Sequence, residues 1–436
     1  MKMLQSDRQK NEEDGGEMIG EYYPRIADGL LEERLSNAGA VLIRGAKWCG
    51  KTRTAEEHAR SALYLQDPDT RASNLELAAT KPSVLLRGDE PRLIDEWQDA
   101  PQLWDAARFS IDRSGGFGHY IFTGSATPKG KPAHSGTGRF SFLTMRPMSL
   151  HESRESTAEV SLAQLFDGPG DIEGHALGDV ESIAMQVCRG GWPEVVASGA
   201  DAGTTIPSDY LAAVSEEDIS SIDGVSRNPR DAMLIMRAFA RCVGTMSDMK
   251  TVRLNITQRK DEIARSTFNE YVGALRRLYI FEDLEAWRPS LRSKTRVAAT
   301  PTRHFVDPSL AVAALDATPD MLLGDMPTLG LLFESLCVRD LRVYLSTLRG
   351  ELYHYHDVSG LEADAVAVAP DGRWGAFEVK LNPNAAGDAA ANLLKLADRV
   401  DASSGKMAFL AVITSGGYAY RRDDGVYVVP ISCLAP

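Results

Sequence analysis

Residues 40–63 read AVLIRGAKWCGKTRTAEEHARSAL. An apolar run, a glycine-bounded turn and a helix-forming stretch follow one another without a break. The turn GAKWCGKT satisfies G-x-x-x-x-G-K-[ST], a pattern whose chemistry explains each fixed position. Gly45 and Gly50 let the backbone curl so that its N–H groups face phosphate oxygens, Lys51 reaches the β- and γ-phosphates, and the Thr52 hydroxyl suits Mg²⁺. The helix beginning near Thr52 adds the positive end of its dipole.

Outward from this turn, ALYLQD (62–67), RLIDEW (92–97), HYIFTGS (119–125) and FSFLTM (140–145) are short β-rich runs separated by helix-length segments. That rhythm is the signature of a parallel α/β sheet. RLIDEW ends in a pair of acids: Asp95 is expected to hold the magnesium, directly or through water, and Glu96 to polarise an attacking water. In HYIFTGS, Thr123 or Ser125 is placed to touch a γ-phosphate. Further on, GTGRF (136–140) sets Arg139 after a flexible PKGKPAHSGTG segment, as a guanidinium aimed at a neighbouring chain's nucleotide. Arg146 competes for that role, and such a role implies an oligomer.

The 436 residues carry 48 Lys+Arg against 61 Asp+Glu, a formal charge of −13, with 43% hydrophobic and 25% charged content. That length suits two to four domains, and the composition excludes a disordered or fibrous chain. No run approaches the ~18 apolar residues of a membrane span. Five scattered cysteines without a CxxC pair fit reduced thiols, and the expected location is the cytoplasm. An acidic balance argues against general coating of nucleic acid, though not against a local basic surface. One such surface is WRPSLRSKTRVAATPTRHF (287–305), with Arg288, Arg292, Lys294, Arg296 and Arg303 and no acid. It follows ARSTFNEYVGALRRL (264–278), where Phe268, Tyr271, Leu275 and Leu278 recur at helical spacing. A helix followed by a β-like run suggests a winged helix that binds DNA, or one that docks protein.

In the last third, LEADAVAVAP (361–370) and WGAFEVKL (374–381) flank Asp371-Gly372-Arg373. Alternation puts Glu378 and Lys380 on one strand face. A two-residue turn would leave Asp364 on the other face, whereas a three-residue loop with Gly372 left-handed would pair Asp364 with Lys380 and unite the charges. If the faces coincide, Asp-x₁₃-Glu-x-Lys resembles the restriction-endonuclease-like core. That resemblance assigns Glu334, in a helix at 326–346, together with Asp364 and Glu378 to a metal shell, and Lys380 to the attacking water. His354 and His356 alternate on the strand before and read as one face of an ordinary strand.

YYPRIADGLL, PRLIDEWQDAP, FTGSATP, MRPMSLHES, CRGGWPE, HFVDPSLA and LFESLCVRDLRVY, with the phosphate turn, closely resemble a family of bacterial and archaeal AAA-type ATPases. In that family the ATPase is joined to a C-terminal domain of unknown function. The resemblance implies ATP and Mg²⁺ as cofactors, acting at Lys51, Thr52, Asp95 and Glu96. The expected organisation is a leader (1–20), an AAA-type core (21–150), a lid and linker (151–210), a helical winged-helix-like segment (211–300) and a restriction-endonuclease-like α/β domain (301–436). The function expected is an ATPase whose nucleotide state controls nucleic-acid engagement by the C-terminal domain. The alternative is a non-cleaving switch that binds a protein partner or DNA.

Overall fold

The computed structural model describes residues 22–126, 136–198, 205–256, 263–289, 300–400 and 405–436. After helix α1 (Ile26–Leu35), strands β1 (Ala40–Arg44), β2 (Ser61–Tyr64), β3 (Arg92–Asp95), β4 (Tyr120–Gly124) and β5 (Phe140–Thr144) form one sheet in the order β2-β3-β4-β1-β5. Every pairing in it is parallel. Helices α2 (Lys51–His58), α3 (Arg71–Thr80) and α4 (Gln102–Ser114) supply the crossovers. Side chains alternate across the sheet. Val41, Ile43 and Ile121 pack on one face with Leu31 and Ala55, and Leu42, Ile94 and Phe122 on the other with Leu103 and Trp104. Burial on both faces is why these strands read as unbroken apolar runs. Because the strands are parallel, Arg44, Asp95 and Gly124 end at one edge, and the glycine turn sits there.

The chain then runs through β6 (Val160–Ser161), α5 (Leu162–Asp167), β7 (Gly174–His175), α6 (Val180–Arg189) and α7 (Pro193–Ser198). A helical region follows: α8 (Ile206–Ala213), a π-helical turn over Val214–Asp218, α9 (Ile219–Ser221), α10 (Pro229–Ala240), α11 (Met249–Leu254), α12 (Arg265–Arg277), α13 (Pro308–Ala314) and α14 (Pro319–Leu323). Phe268, Tyr271, Leu275 and Leu278 of the 264–278 stretch are buried, as their spacing requires. The remaining elements are α15 (Met326–Ser346), β8 (Glu351–His356), β9 (Glu362–Val368), β10 (Trp374–Lys380), α16 (Ala386–Arg399), β11 (Met407–Thr414), β12 (Tyr418–Arg421), β13 (Tyr427–Pro430) and β14 (Leu434–Ala435). Among the described residues β8 to β13, joined by β7, build a mixed seven-stranded sheet in the order β7-β12-β13-β11-β10-β9-β8.

Within residues 151–210, the expected lid and linker, β7 joins the C-terminal sheet beside β12, and β6 pairs with β14. Helix α13 packs on α6, α8 and α10 and also touches α15. The largest apolar core is continuous, running from Ala46 in the glycine turn through the helical region to Leu434. No helix among the described residues is long and apolar enough to cross a membrane. All five cysteines are buried free thiols.

Candidate functional site

Two glycines shape the turn after β1. A Cβ on Gly45 would stand 2.1 Å from the Met145 carbonyl oxygen, and Gly50 has φ +99°, a conformation only glycine adopts cheaply. Lys51 opens α2 and is buried, its Nζ donating to the Ala46 carbonyl at 2.8 Å across the turn. Thr52 Oγ1 donates to Asp95 Oδ1 at 2.8 Å, and Thr123 Oγ1 donates to the same oxygen at 2.6 Å. Burial pushes the Asp95 carboxyl above its usual range, the two hydroxyls opposing and the neighbouring Glu96 charge adding to the shift. A hydroxyl and a carboxylate oxygen held together beside a buried lysine fit a hydrated Mg²⁺ with phosphate ligands.

Glu96 sits just past β3 in a left-handed conformation, φ 53°. Its N–H donates to Thr123 Oγ1 at 3.1 Å, and its Oε2 accepts from Ser125 Oγ at 2.8 Å and from Gln98 Nε2. The strained backbone swings this carboxylate from the direction of Asp95 toward the end of β4. Sequence left Thr123 and Ser125 open. In the structure Thr123 is committed to Asp95 and Ser125 to Glu96, so the two hydroxyls serve different acids.

Arg139 lies elsewhere. It precedes β5, at the edge of the sheet opposite the turn, and its Nε donates to Asp112 Oδ1 at 2.6 Å. The five-residue β1 separates the two edges by roughly 16 Å at ~3.3 Å per residue. Within one chain Arg139 therefore does not join the cluster. Arg146 is nearer but occupied, donating through Nε and Nη2 to both oxygens of Glu282 at 2.6–3.1 Å. Burial alone would raise the Glu282 carboxyl; Arg146 and Arg342 outweigh it and bring it down to about 2.

Sequence reasoning missed the residues that brace the turn. Arg25, 7% exposed, donates from Nη1 to the Cys49 carbonyl and from Nη2 to the Arg146 carbonyl, both at 2.8 Å. Its Nε meets Glu152 Oε1 at 3.0 Å, while Glu152 Oε2 accepts from Ser149 N and Oγ. The next residue, Leu150, donates its N–H to Asp340 Oδ2 on α15 at 2.9 Å. Asp340 and Asp307 share the buried Arg339, and Asp307 also accepts from Gly191 N. Only the presence of Arg25 in the YYPR motif hinted at any of this.

The second cluster lies where β9, β10 and α15 meet. The turn is Pro370-Asp371-Gly372 with Gly372 left-handed, φ +84°, and Ala369 N donates to Arg373 O. Pairing runs Trp374↔Val368 to Phe377↔Ala365, which sets Asp364 beside Glu378, a register different from both turns the sequence left open, one opposing Asp364 to Val379 and the other to Lys380. The even shift keeps all three charges on one face. Lys380 Nζ is 2.6 Å from Glu378 Oε2 and 3.9 Å from Asp364 Oδ2. Asp364 also accepts from Val379 N at 2.7 Å, and Glu378 Oε1 from Asn392 Nδ2 at 2.5 Å. Burial and the neighbouring carboxylates, offset in part by Lys380, push both Asp364 and Glu334 upward. Among the described residues no three acidic, histidine or cysteine side chains close into a metal-holding group.

Other expected positions separate. Arg292, Lys294 and Arg296 lie outside the described residues, and Arg288 is exposed. Arg303 is not part of a solvent-facing basic surface: it is 4% exposed and pairs with Asp283 at 2.6 Å. His354 is buried, its Nε2 beside the Thr300 carbonyl at 3.1 Å, and burial pushes its ring down to about 4.

Residues 37–153, which contain the whole parallel sheet and the glycine turn, match the family model of an AAA domain. Two more models follow, each a domain of unknown function, DUF8612 over residues 180–321 and DUF4143 over residues 329–434. The chain thus carries an AAA domain followed by two domains of unknown function. The boundaries of the two later models fall on either side of α15's start. The chain is similar to the uncharacterized protein Mb2031c of Mycobacterium bovis, at 22% identity over 417 residues, 93% of this chain and 83% of the other. The uncharacterized protein Rv2008c of Mycobacterium tuberculosis matches with the same figures, 22% over 417 residues, 93% and 83%. Among solved structures, the Walker-type ATPase PABY2304 of Pyrococcus abyssi aligns with 67% of this chain and 96% of its own, at 12% identity and a TM-score of 0.40.

Proposed function

We propose that this protein is a Mg²⁺-dependent ATPase whose nucleotide state controls nucleic-acid engagement by its C-terminal sheet domain. The observation that carries the ATPase half is the chain Thr52–Asp95–Thr123–Glu96–Ser125, built at the end of three adjacent strands beside the Lys51 turn. In this reading Lys51 and the turn's N–H groups bind the phosphates, Thr52 and Asp95 hold the metal, and Glu96 polarises water with Ser125 at its side. Arg139 acts on a neighbouring chain's nucleotide, if the protein assembles.

The nucleic-acid half is supported by the gathering of Asp364, Glu378 and Lys380 on one face, with Glu334 buried near enough for the Asp364 charge to push its carboxyl upward. Two carboxylates and a lysine so placed suit a phosphodiester with a divalent ion. A second reading is favoured by a specific feature of the same site. Both oxygens of Glu378 are taken by protein donors, Lys380 and Asn392, an arrangement that suits binding of DNA or protein without cleavage.

Steady-state phosphate release from ATP, with and without duplex and single-stranded DNA over a salt series, tests the first half. Turnover stimulated by DNA, with stimulation fading as salt rises, supports coupling. Turnover in Lys51→Ala equal to wild type would sink the ATPase reading. Plasmid nicking in Mg²⁺ or Mn²⁺ separates the two C-terminal readings: nicking that disappears in Glu378→Ala supports cleavage, and nicking that persists assigns it to another source.

A further inference from the structure

The phosphate turn holds a second lysine that its signature does not require. The third position of G-x-x-x-x-G-K-[ST] is unspecified, and here it is Lys47. Its Nζ lies 2.6 Å from Asp218 Oδ1, the Lys47 side chain 45% exposed and the Asp218 side chain 12%. Asp218 closes the π-helical turn between α8 and α9, and single π turns of this kind concentrate at functional sites. The adjacent loop residue makes a second contact with the same unit. Trp48 meets Tyr210 edge-on at 5.9 Å, and Tyr210 stacks on Trp192 at 5.0 Å. Two consecutive residues of the phosphate turn are therefore what α8 and the π turn hold.

We propose that Lys47 is a second phosphate-binding cation, which a nucleoside triphosphate draws away from Asp218 so that the π turn loses its ion pair with the loop. This rests on the ATP-binding reading above and goes beyond it in naming what distinguishes triphosphate from diphosphate. A carboxylate and a terminal phosphate oxygen are the same kind of acceptor for an ammonium, and the phosphate carries the greater charge. Lysine suits the exchange, being a point charge on a flexible stem with rotatable donors. Only the lysine end of the pair is half-exposed and Asp218 is largely buried, so the greater charge of the triphosphate has to offset the loss of that carboxylate's partner. Lys51, by contrast, is buried and hydrogen-bonded within the turn, and serves either nucleotide.

The test compares ATP and ADP affinities, with Mg²⁺, by calorimetry in wild type, Lys47→Gln, Lys47→Arg and Asp218→Asn. Amide hydrogen exchange over residues 206–221 is followed in the nucleotide-free and loaded proteins. Lys47→Gln should lower the ATP-to-ADP affinity ratio by about tenfold, the scale of one lost hydrogen bond to a charged group. Lys47→Arg should keep most of the ratio, and Asp218→Asn, which frees Lys47, should raise it. Without nucleotide, Lys47→Gln and Asp218→Asn should both speed exchange across 206–221, and in wild type ATP but not ADP should do the same. A ratio within twofold of wild type in both Lys47→Gln and Asp218→Asn, with ATP still bound, overturns this proposal alone. A wild type that binds neither nucleotide overturns the ATP-binding reading along with it.

Discussion

Removing Arg25 separates bracing of the phosphate turn from general stability. Arg25→Ala strips Glu152 of its ion pair and leaves the Cys49 and Arg146 carbonyls without their donor. Breaking a buried pair from one side costs about 3–5 kcal/mol, here tempered because Ile26 N still donates to Glu152 Oε1 and Ser149 to Oε2. The lower end of that range, about 3 kcal/mol, is the expected loss in urea unfolding. Replacing both partners, as in Arg25→Met with Glu152→Leu, removes the uncompensated charge but leaves the Ile26 and Ser149 N–H groups without their acceptor, so it should recover only part of the loss. The loop would not recover, since neither new side chain can donate to Cys49 O. Stability and nucleotide affinity should therefore part company: the double variant is more stable than Arg25→Ala yet binds ATP as poorly. The assay is a urea melt paired with calorimetric ATP titration on all variants. If Arg25→Ala loses under about 1 kcal/mol, the level of an exposed pair, and binds ATP normally, the bracing argument is wrong.

Glu96→Gln should bind ATP but turn it over about 10²–10⁴-fold more slowly, read by single-turnover phosphate release. Asp340→Ala, which leaves Leu150 N and one side of Arg339 unpartnered in the core, should cost about 3–5 kcal/mol in urea unfolding; a loss below 1 kcal/mol would remove α15 as an anchor for residues 149–151. His58 is raised above 6.5, first because it donates to Asp28 at 3.2 Å and despite its burial. Its contribution is full below pH ~6.5 and fades as pH rises through the folded value, so Asp28→Asn should flatten that part of the stability profile.

What was legible in the sequence was local. The strand-turn-helix at 40–63, the acids ending RLIDEW, the helix over 326–346 and the alternation in 374–381 all lie within a few residues of their own cause. Asp364's face was legible only as parity, because the turn's exact residues set the register and both plausible turns were compatible with DGR. The braces were not legible at all. Arg25–Glu152 spans 127 residues and Lys47–Asp218 spans 171, and no periodicity connects partners that distant. The buried fate of Arg303 escaped for the same reason: its acid, Asp283, lies 20 residues away in the opposing bridge segment, so composition alone counted the arginine as solvent-facing. Glycine and proline density in 151–210 gave no sign that β6 and β7, two residues each, pair with strands near residue 420 and beyond.

The β6–β14 pairing imposes an order of events on a growing chain. Val160 pairs with Leu434, and Ser161 Oγ donates to the carbonyl of Pro436, 275 residues further along. At roughly 5–20 residues synthesised per second, that partner emerges roughly 15–55 s after Ser161 does. The parallel sheet, complete by residue 144, has no such wait. The phosphate turn's partners in α8 and the π turn come between the two, and the core behind Ala46 closes only with the last strands. A nascent chain therefore holds a finished sheet with an unbacked phosphate turn, and the turn's surroundings become complete only as the seam at β14 is sealed.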